Sequence, residues 1–388
     1  MRPAEAGERR RLNELFAELC RIPSPFGHER ACAERVKGEL RELGLEVEED
    51  DAAAAAGAEC GNLLARIPAV GGNAPSVLLC AHLDTVPLTA ELEPVLVEDG
   101  WENAHEGILG ADNKAAVAVI LALARRCATE PPPVGVELLF TVCEENALAG
   151  AKAFDAGRLR SRFGYVFDHA TPIGEIVLAS PTYHRIEADF RGASAHAGIR
   201  PEAGRSAIAA AARAIAGMRL GRLDAETTTN VGTIHGGAGT NVVPARCVLE
   251  AEARSLEAAK VEQAVSELVD ALHDGANAAE CDVDVSVSCL FDGYRTRPSS
   301  WAVLAAERAL RRAGHEPRHI VTGGGSDANA LQAAGFECVN LANGTERNHQ
   351  PDERVSLAAL EGMLDVALAL LLAAAEARPG GRVGSRGA

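Results

Sequence analysis

The stretch Val77-Leu78-Leu79-Cys80-Ala81-His82-Leu83-Asp84-Thr85 is an apolar run that ends in a histidine, with an aspartate two residues further on. Residues i and i+2 of an extended chain face the same side. His82 and Asp84 can therefore sit side by side at the end of a buried strand. An imidazole oriented by a neighbouring carboxylate is a common metal ligand. Taken alone, the triplet reads equally well as a core strand running into a polar turn. Four further segments repeat the pattern. Ile108 to Lys114 sets Asp112 just before a helix, and Leu138 to Glu145 ends an apolar strand in Glu144-Glu145. Val166-Phe167-Asp168-His169 ends another strand in an aspartate, and Asn343 to His349 follows the strand Cys338 to Leu341 with a histidine.

Asp112 by itself reads best as a helix N-cap. Glu144 and Glu145 do not: adjacent carboxylates after an apolar strand repel unless cations share them. In an extended segment they point in opposite directions, one toward metal and one toward substrate. His169, Glu346 and Asp352 read as solvated or supporting groups. Two imidazoles and three carboxylates suit two borderline metal ions with one carboxylate bridging. Such a pair, ~3.5–4 Å apart, polarises a carbonyl and yields hydroxide near neutral pH. A free glutamate beside it can take the proton and pass it to a leaving amine.

The elements that must position these groups are strands and helices in alternation. Helical periodicity covers Arg9 to Cys20, Glu29 to Leu43 and Asn113 to Arg126. Asp50 to Gly61 reads as an alanine-rich loop. Strands are expected at Asn62 to Ile67, Ser76 to Ala81, Val136 to Val142 and, briefly, Tyr165 to Phe167. Continuous apolar strands separated by helices indicate a parallel sheet covered on both faces. Sites in such sheets form beyond the carboxyl ends of the strands, which is where the acidic and imidazole groups recur. Near Ala179 the pattern changes to half-buried alternation. The order of elements through Leu290 is β-α-β-β-α-β, the ferredoxin-like arrangement. After Tyr294 the α/β pattern returns. The expected fold is thus α/β, with a mixed, mostly parallel sheet and helices on both faces. Residues 1–178 and 293–378 form this catalytic domain. An α+β domain at 179–292 is inserted into it, and a Gly- and Arg-rich tail, 379–388, is expected to be disordered.

Composition narrows the function. The 388 residues allow two ordinary domains, and 47% are apolar while only 4% are aromatic, so packing must use small and aliphatic side chains. The net charge of −17 argues against nucleic acid or an anionic membrane as partner. Met1 to Cys20 carries charges throughout, and no segment approaches the length of a membrane span. The ten cysteines include no Cys-x-x-Cys pair, which favours reduced thiols and a cytoplasmic location.

The segments Ala81 to Pro87, Gly110 to Ala116, Cys143-Glu144-Glu145 and Thr322 to Asn329 resemble the co-catalytic zinc peptidase family. This family includes peptidase T, glutamate carboxypeptidase, aminoacylase and succinyl-diaminopimelate desuccinylase. The likeness runs from Leu12 to about Ala375 and is strongest toward the peptidase T-like branch. The resemblance implies two Zn2+ ions, with Co2+ or Mn2+ as substitutes. Asp112 would bridge them, His82 and Asp168 would complete one site, and Glu145 and His349 the other. Glu144 would be the general base, and Asp84 would orient His82. The peptide bond after Asp112 is expected to be cis. The inserted domain would act as lid and dimerisation domain, with His196 reaching the partner subunit's site to stabilise an oxyanion. Asn241, Arg254 and Gly325 match substrate-binding positions, and the arginine fork suits a carboxylate. Where many relatives have aspartate before the two glutamates, this chain has Cys143. The glycines of Thr322 to Ser326 lack dinucleotide-fingerprint spacing, which excludes that cofactor.

The resulting expectation is a homodimeric dinuclear zinc exopeptidase acting on short peptides, in the manner of a tripeptide aminopeptidase. The alternative is an amidohydrolase or carboxypeptidase acting on N-acyl amino acids or dipeptides. A phosphoesterase would want basic groups near the metals and no free glutamate base. A non-catalytic binding protein would not keep the full ligand set.

Overall fold

A computed structural model describes residues 1–71, 74–170 and 172–376; the tail at 379–388 lies outside the described residues. Helices α1 (Ala6–Cys20) and α2 (Arg30–Glu42) bury apolar stripes that include Leu12, Phe16, Val36 and Leu40. Strand β1 (Val47–Glu49), the short helix α3 (Ala53–Ala56) and β2 (Leu63–Ile67) follow, so the alanine-rich loop holds one helical turn. Next come β3 (Ser76–His82), the hairpin β4 (Pro94–Val97) and β5 (Gly100–Asn103), α4 (Ala111–Thr129), β6 (Gly135–Thr141), α5 (Ala149–Ala153), β7 (Ser161–His169) and β8 (Glu175–Ser180). The chain then builds β9 (Thr182–Arg191), α6 (Ala207–Gly217), β10 (Gly221–Arg222), β11 (Thr227–Gly236), β12 (Arg246–Ser255), α7 (Ala258–Ala278) and β13 (Asp282–Phe291). It returns through β14 (Tyr294–Arg295), α8 (Trp301–Arg312), β15 (Arg318–Val321), α9 (Asp327–Ala333), β16 (Cys338–Ala342), β17 (Thr345–Glu346), β18 (Arg354–Ser356) and α10 (Leu357–Glu376).

Two units result. The first takes Met1–Leu178, Arg295–Val321 and the chain from Ser326; the second takes Ala179–Tyr294 and Thr322–Gly325. The first contains a nine-stranded sheet ordered β1-β2-β6-β3-β7-β16-β8-β14, with β15 beside β8. Its centre, β6-β3-β7-β16, is parallel, while β2 and β8 flank it antiparallel. The central strands are buried on both faces, as their unbroken apolar runs require. Their carboxyl ends, His82, Thr141, His169 and Ala342, fall along one edge. A small sheet, β17-β18-β5-β4, has strands of two to four residues, too short to leave a period in the sequence.

The second unit is an antiparallel sheet, β10-β11-β12-β9-β13. Ile186, Ala188 and Phe190 of β9 and Leu249, Ala251 and Ala253 of β12 pack with Ala210 and Ala214 of α6 and Leu268 and Leu272 of α7. The two helices approach closely because residue 275 is glycine: a Cβ there would lie 2.6 Å from the Ala214 nitrogen. The sequence reading puts all of 293–378 in the first domain. Thr322–Gly325 belong instead with the second unit, for three hydrogen bonds hold them. The Thr322 amide donates to the Ala179 carbonyl at 3.0 Å, Ser180 Oγ to the Gly324 carbonyl at 2.8 Å, and Arg254 Nη1 to the Gly323 carbonyl at 3.1 Å.

One segment, α10, does reach the length of a membrane span, contrary to the sequence reading. Helix α10 is 20 residues long with a mean hydropathy of 2.0, enough by length and composition to cross a membrane. Its apolar surface is instead used internally, against α8, α4 and α1. None of the ten cysteines is in a disulfide, and all but Cys289 are buried.

Candidate active site

Six side chains of the first unit converge at the carboxyl edge of the parallel strands. His82 ends β3 and is 1% exposed. Its Nδ1 lies 3.0 Å from the main-chain carbonyl of Asp84. A carbonyl only accepts, so Nδ1 carries the proton and Nε2 presents its lone pair to the cluster. Nε2 sits 3.3 Å from Asp112 Oδ1 and 3.6 Å from Asp168 Oδ1. The other oxygen of Asp112, Oδ2, lies 3.3 Å from His349 Nε2 and accepts from Asn348 Nδ2 at 2.8 Å. Asp112 thus offers one oxygen to each imidazole. His349 Nε2 also meets Glu145 Oε1 at 2.8 Å.

Donor atoms of His82, Glu144 and Asp168 lie within 4.8 Å of one another, and so do those of His82, Asp112 and Glu145. His82 Nε2 and Asp112 Oδ1 are buried without a hydrogen-bond partner among the described residues. Buried polar atoms are rarely left so. Borderline N/O donors with unpartnered lone pairs aimed at one point fit divalent metal ions.

The supporting contacts are specific. The peptide bond Asp112–Asn113 is cis, as the resemblance implies. The loop before it hangs on Glu353, 1% exposed, which accepts from the amides of Leu109, Gly110 and Asp112, each at 2.8 Å. Asn340, a polar residue within the apolar strand β16, makes a two-bond clamp on the main chain of Asp168 at 3.0 and 2.9 Å. Asp327 is buried against the Thr141 hydroxyl at the end of β6, with Cys80 Sγ 3.9 Å away.

Two details differ from the sequence reading. The Asp84 contact that orients His82 runs through the main chain. Its carboxylate accepts from the amides of Glu144 and Glu145, both at 3.0 Å, and lies 3.4 Å from His82 Nδ1. Nor is the Glu144-Glu145 segment extended. Cys143 has φ 51°, and the chain turns there, so both carboxylates join the same cluster and not opposite sides.

Charge is concentrated. Burial favours the protonated acid, and for Glu144 and Asp168 this, together with neighbouring carboxylates, pushes the pKa well up. Burial also raises Glu145, partly offset by its bond to His349. Asp112 goes the other way: burial raises it, but the imidazoles of His349 and His82 beside it hold it far below the usual range. Asp112 and Glu145 push His349 up to about 10. Four carboxylates facing two imidazoles attract cations strongly.

The remaining sequence candidates lie in the second unit. His196 is on an exposed loop, where its Nδ1 accepts from the Gly198 amide at 3.2 Å. That loop is bonded to the Asn241 segment, Ala197 amide to Asn241 carbonyl at 2.9 Å, so His196 and Asn241 are neighbours. Arg254 stacks on the Tyr183 ring at 4.0 Å, and Glu252 takes its Nε at 3.2 Å and Nη2 at 3.0 Å. Gly325 packs against the Phe291 ring.

The sequence reading assigns no role to Glu29, Asp327, Asn340, Asn348 or Glu353. Only Asn340, a polar residue in an apolar strand, left a local signal.

A metal-ligand cluster at the carboxyl edge of an α/β sheet with an inserted antiparallel unit defines a metal-dependent hydrolase of the peptidase type. The chain belongs to peptidase family M20/M25/M40, matched over residues 78–373. It is 36% identical to aminopeptidase PepT of Bacillus cereus, whose crystal structure superposes with a TM-score of 0.84, covering 95% of this chain and 99% of that one. It is 32% identical to a tripeptidase of Staphylococcus aureus, with a TM-score of 0.88 and the same coverage. The uncharacterized protein YqjE of Bacillus subtilis is 34% identical over 369 residues, 95% of this chain and 99% of that protein.

Proposed function

We propose that this protein is a dinuclear zinc exopeptidase that releases the amino-terminal residue of short peptides, tripeptides above all. The observation that carries this reading is Asp112 presenting one oxygen to His82 and the other to His349. The near full-length likeness to an aminopeptidase and a tripeptidase supports the substrate class. In this reading His82 and Asp168 would hold one ion and Glu145 and His349 the other, with Asp112 shared between them. Zn2+ suits this N/O set, with Co2+ or Mn2+ as substitutes. When bound, two such ions supply Lewis acidity toward a carbonyl and make water nucleophilic near neutral pH.

Glu144 is the general base. Its carboxylate lies in the cluster with His82 and Asp168 and keeps 8% exposure, and burial raises its pKa, the direction a proton acceptor needs. It takes the proton of the attacking water and returns it to the leaving amine, so the amide C–N bond breaks with no net proton change at Glu144. His82 is held in one tautomer by the Asp84 main chain. The second unit acts as lid and dimerisation domain in a cytoplasmic homodimer, with His196 stabilising the oxyanion of the partner's site. Asn241, Arg254 and the main chain at Gly325 hold the peptide backbone or its carboxylate.

The test is a panel of tripeptides, dipeptides and N-acyl amino acids. Preferred cleavage of free-amine tripeptides is expected. Turnover confined to N-acyl amino acids would make the protein a deacylase, and release from the carboxyl end would make it a carboxypeptidase. Glu144→Ala should abolish turnover and leave metal content intact; activity kept in that variant refutes the base.

A further inference from the structure

Both glutamates of the site sit on a turn that has no regular structure of its own, so something else must hold it. Three consecutive amides of that turn are gripped by two buried carboxylates. The Glu144 and Glu145 amides donate to the two oxygens of Asp84, and the Cys143 amide donates to Glu29 Oε1 at 3.1 Å. Glu29 is 114 residues away in sequence and 0% exposed. Its Oε1 also accepts from the Gly27 amide at 2.7 Å and from the Cys143 thiol at 3.2 Å. Cys143 has φ 51°, a conformation that residues with a side chain avoid unless their surroundings impose it.

The loop that carries Glu29 is itself tied to the segment after β3. Ser24 Oγ donates to the Leu83 carbonyl at 2.8 Å, the Thr85 amide to the Ser24 carbonyl at 2.9 Å, and the Phe26 amide to the Thr85 carbonyl at 2.9 Å. Glu29 therefore joins the His82–Asp84 segment to the Glu144–Glu145 turn. Its other oxygen, Oε2, is buried and accepts no hydrogen bond among the described residues. A buried carboxyl with half its acceptor capacity unused is a costly way to gain stability.

We propose that Glu29 is a positioning residue for hydrolysis. It fixes the left-handed turn at Cys143 and so aims Glu144 and Glu145 at the reacting centre. Glu29 touches neither substrate nor metal ligands and acts through the Cys143 main chain. The proposal rests on the assignment of Glu144 as base and Glu145 as ligand.

Variants at position 29 test it, read by kcat, KM and Co2+ titration followed by visible absorption. Glu29→Gln replaces only the unpartnered oxygen, so it should stay close to wild type in all three. Glu29→Ala frees the turn and should lose ~10- to 100-fold in kcat with little change in KM. It should also weaken binding of one of the two Co2+ ions by ~10-fold or more. Glu29→Asp withdraws the oxygen by one methylene and should fall between, and it serves if Glu29→Ala does not fold. Cys143→Ala keeps the amide bond and should stay near wild type. A merely structural role would lower the melting temperature and leave kcat per folded molecule and the Co2+ titration unchanged; that result, in Glu29→Ala or Glu29→Asp, overturns the proposal. If the wild-type protein cleaves no peptide, the proposed function has failed, and the Co2+ arm still decides on Glu29.

Discussion

Gly325 separates a packing requirement from a substrate contact. A Cβ at this position would fall 2.7 and 2.8 Å from Cε1 and Cε2 of Phe291, and closer still to Cζ. Ordinary carbon contacts need ~3.5–4 Å, so the ring must retreat by roughly 1 Å. It cannot do so freely, because it is buried and packs edge-on against Tyr183 with centroids 5.4 Å apart. Overpacking of this kind costs ~1–3 kcal/mol. The three atoms in the way are the distal ring atoms, which leucine lacks. Gly325→Ala should therefore cost ~1–3 kcal/mol in the wild-type background and under ~0.5 kcal/mol beside Phe291→Leu, a coupling of ~1 kcal/mol or more. Urea unfolding of the four proteins of the cycle measures it. Additive effects would refute the packing argument. A rise in KM that persists in the Phe291→Leu background would mark Gly325 as a substrate contact in its own right.

Glu353→Ala should leave three buried amides without acceptors. Burial pushes this carboxyl up to about 7, so some of the loss is recovered, for a net ~2–5 kcal/mol in urea unfolding; an unchanged midpoint would mean the loop does not depend on it. Stripping divalent metals by chelation should lower the melting temperature, since four buried carboxylates then face one another. Zn2+ restored at about a hundred times its Kd should return ~2.7 kcal/mol, and a melting temperature indifferent to chelation counts against the metal site. The folded protein should show one thiol per chain to an aromatic disulfide reagent and ten after denaturation. Burial pushes Cys60 and Cys127 up to about 12, far from reactive thiolate, so several fast thiols in the native state would contradict the packing.

The strand ends were legible because buried parallel strands leave unbroken apolar runs, and a charged or imidazole group that stops such a run is visible within a few residues. His82, Glu145 and Asp168 all announce themselves this way, whereas Asp112 sits at a helix start and by itself reads as an N-cap. The short strands β4, β5, β17 and β18 do not, since two to four half-exposed residues hold no period. The sequence suggests only three residues of β7 because Ser161, Arg162 and the half-buried Asp168-His169 end interrupt its apolar stretch, yet the strand is nine residues long.

The chain spells out the inventory: strands ending in imidazole and carboxylate, an α/β framework and an inserted β-α-β-β-α-β unit. These follow from local periodicity, which neighbouring residues encode. The tertiary structure alone decided how the inventory is used. It gave the Asp84 carboxylate to the Glu144 and Glu145 amides, bent the chain at Cys143, hung the Asp112 loop on Glu353, and moved Thr322–Gly325 into the second unit. The Asp112–Glu353 bond joins residues 241 apart in the chain. A hydrogen bond of that reach has no period and no local composition, and it exists only once the sheet has brought both ends to the same edge.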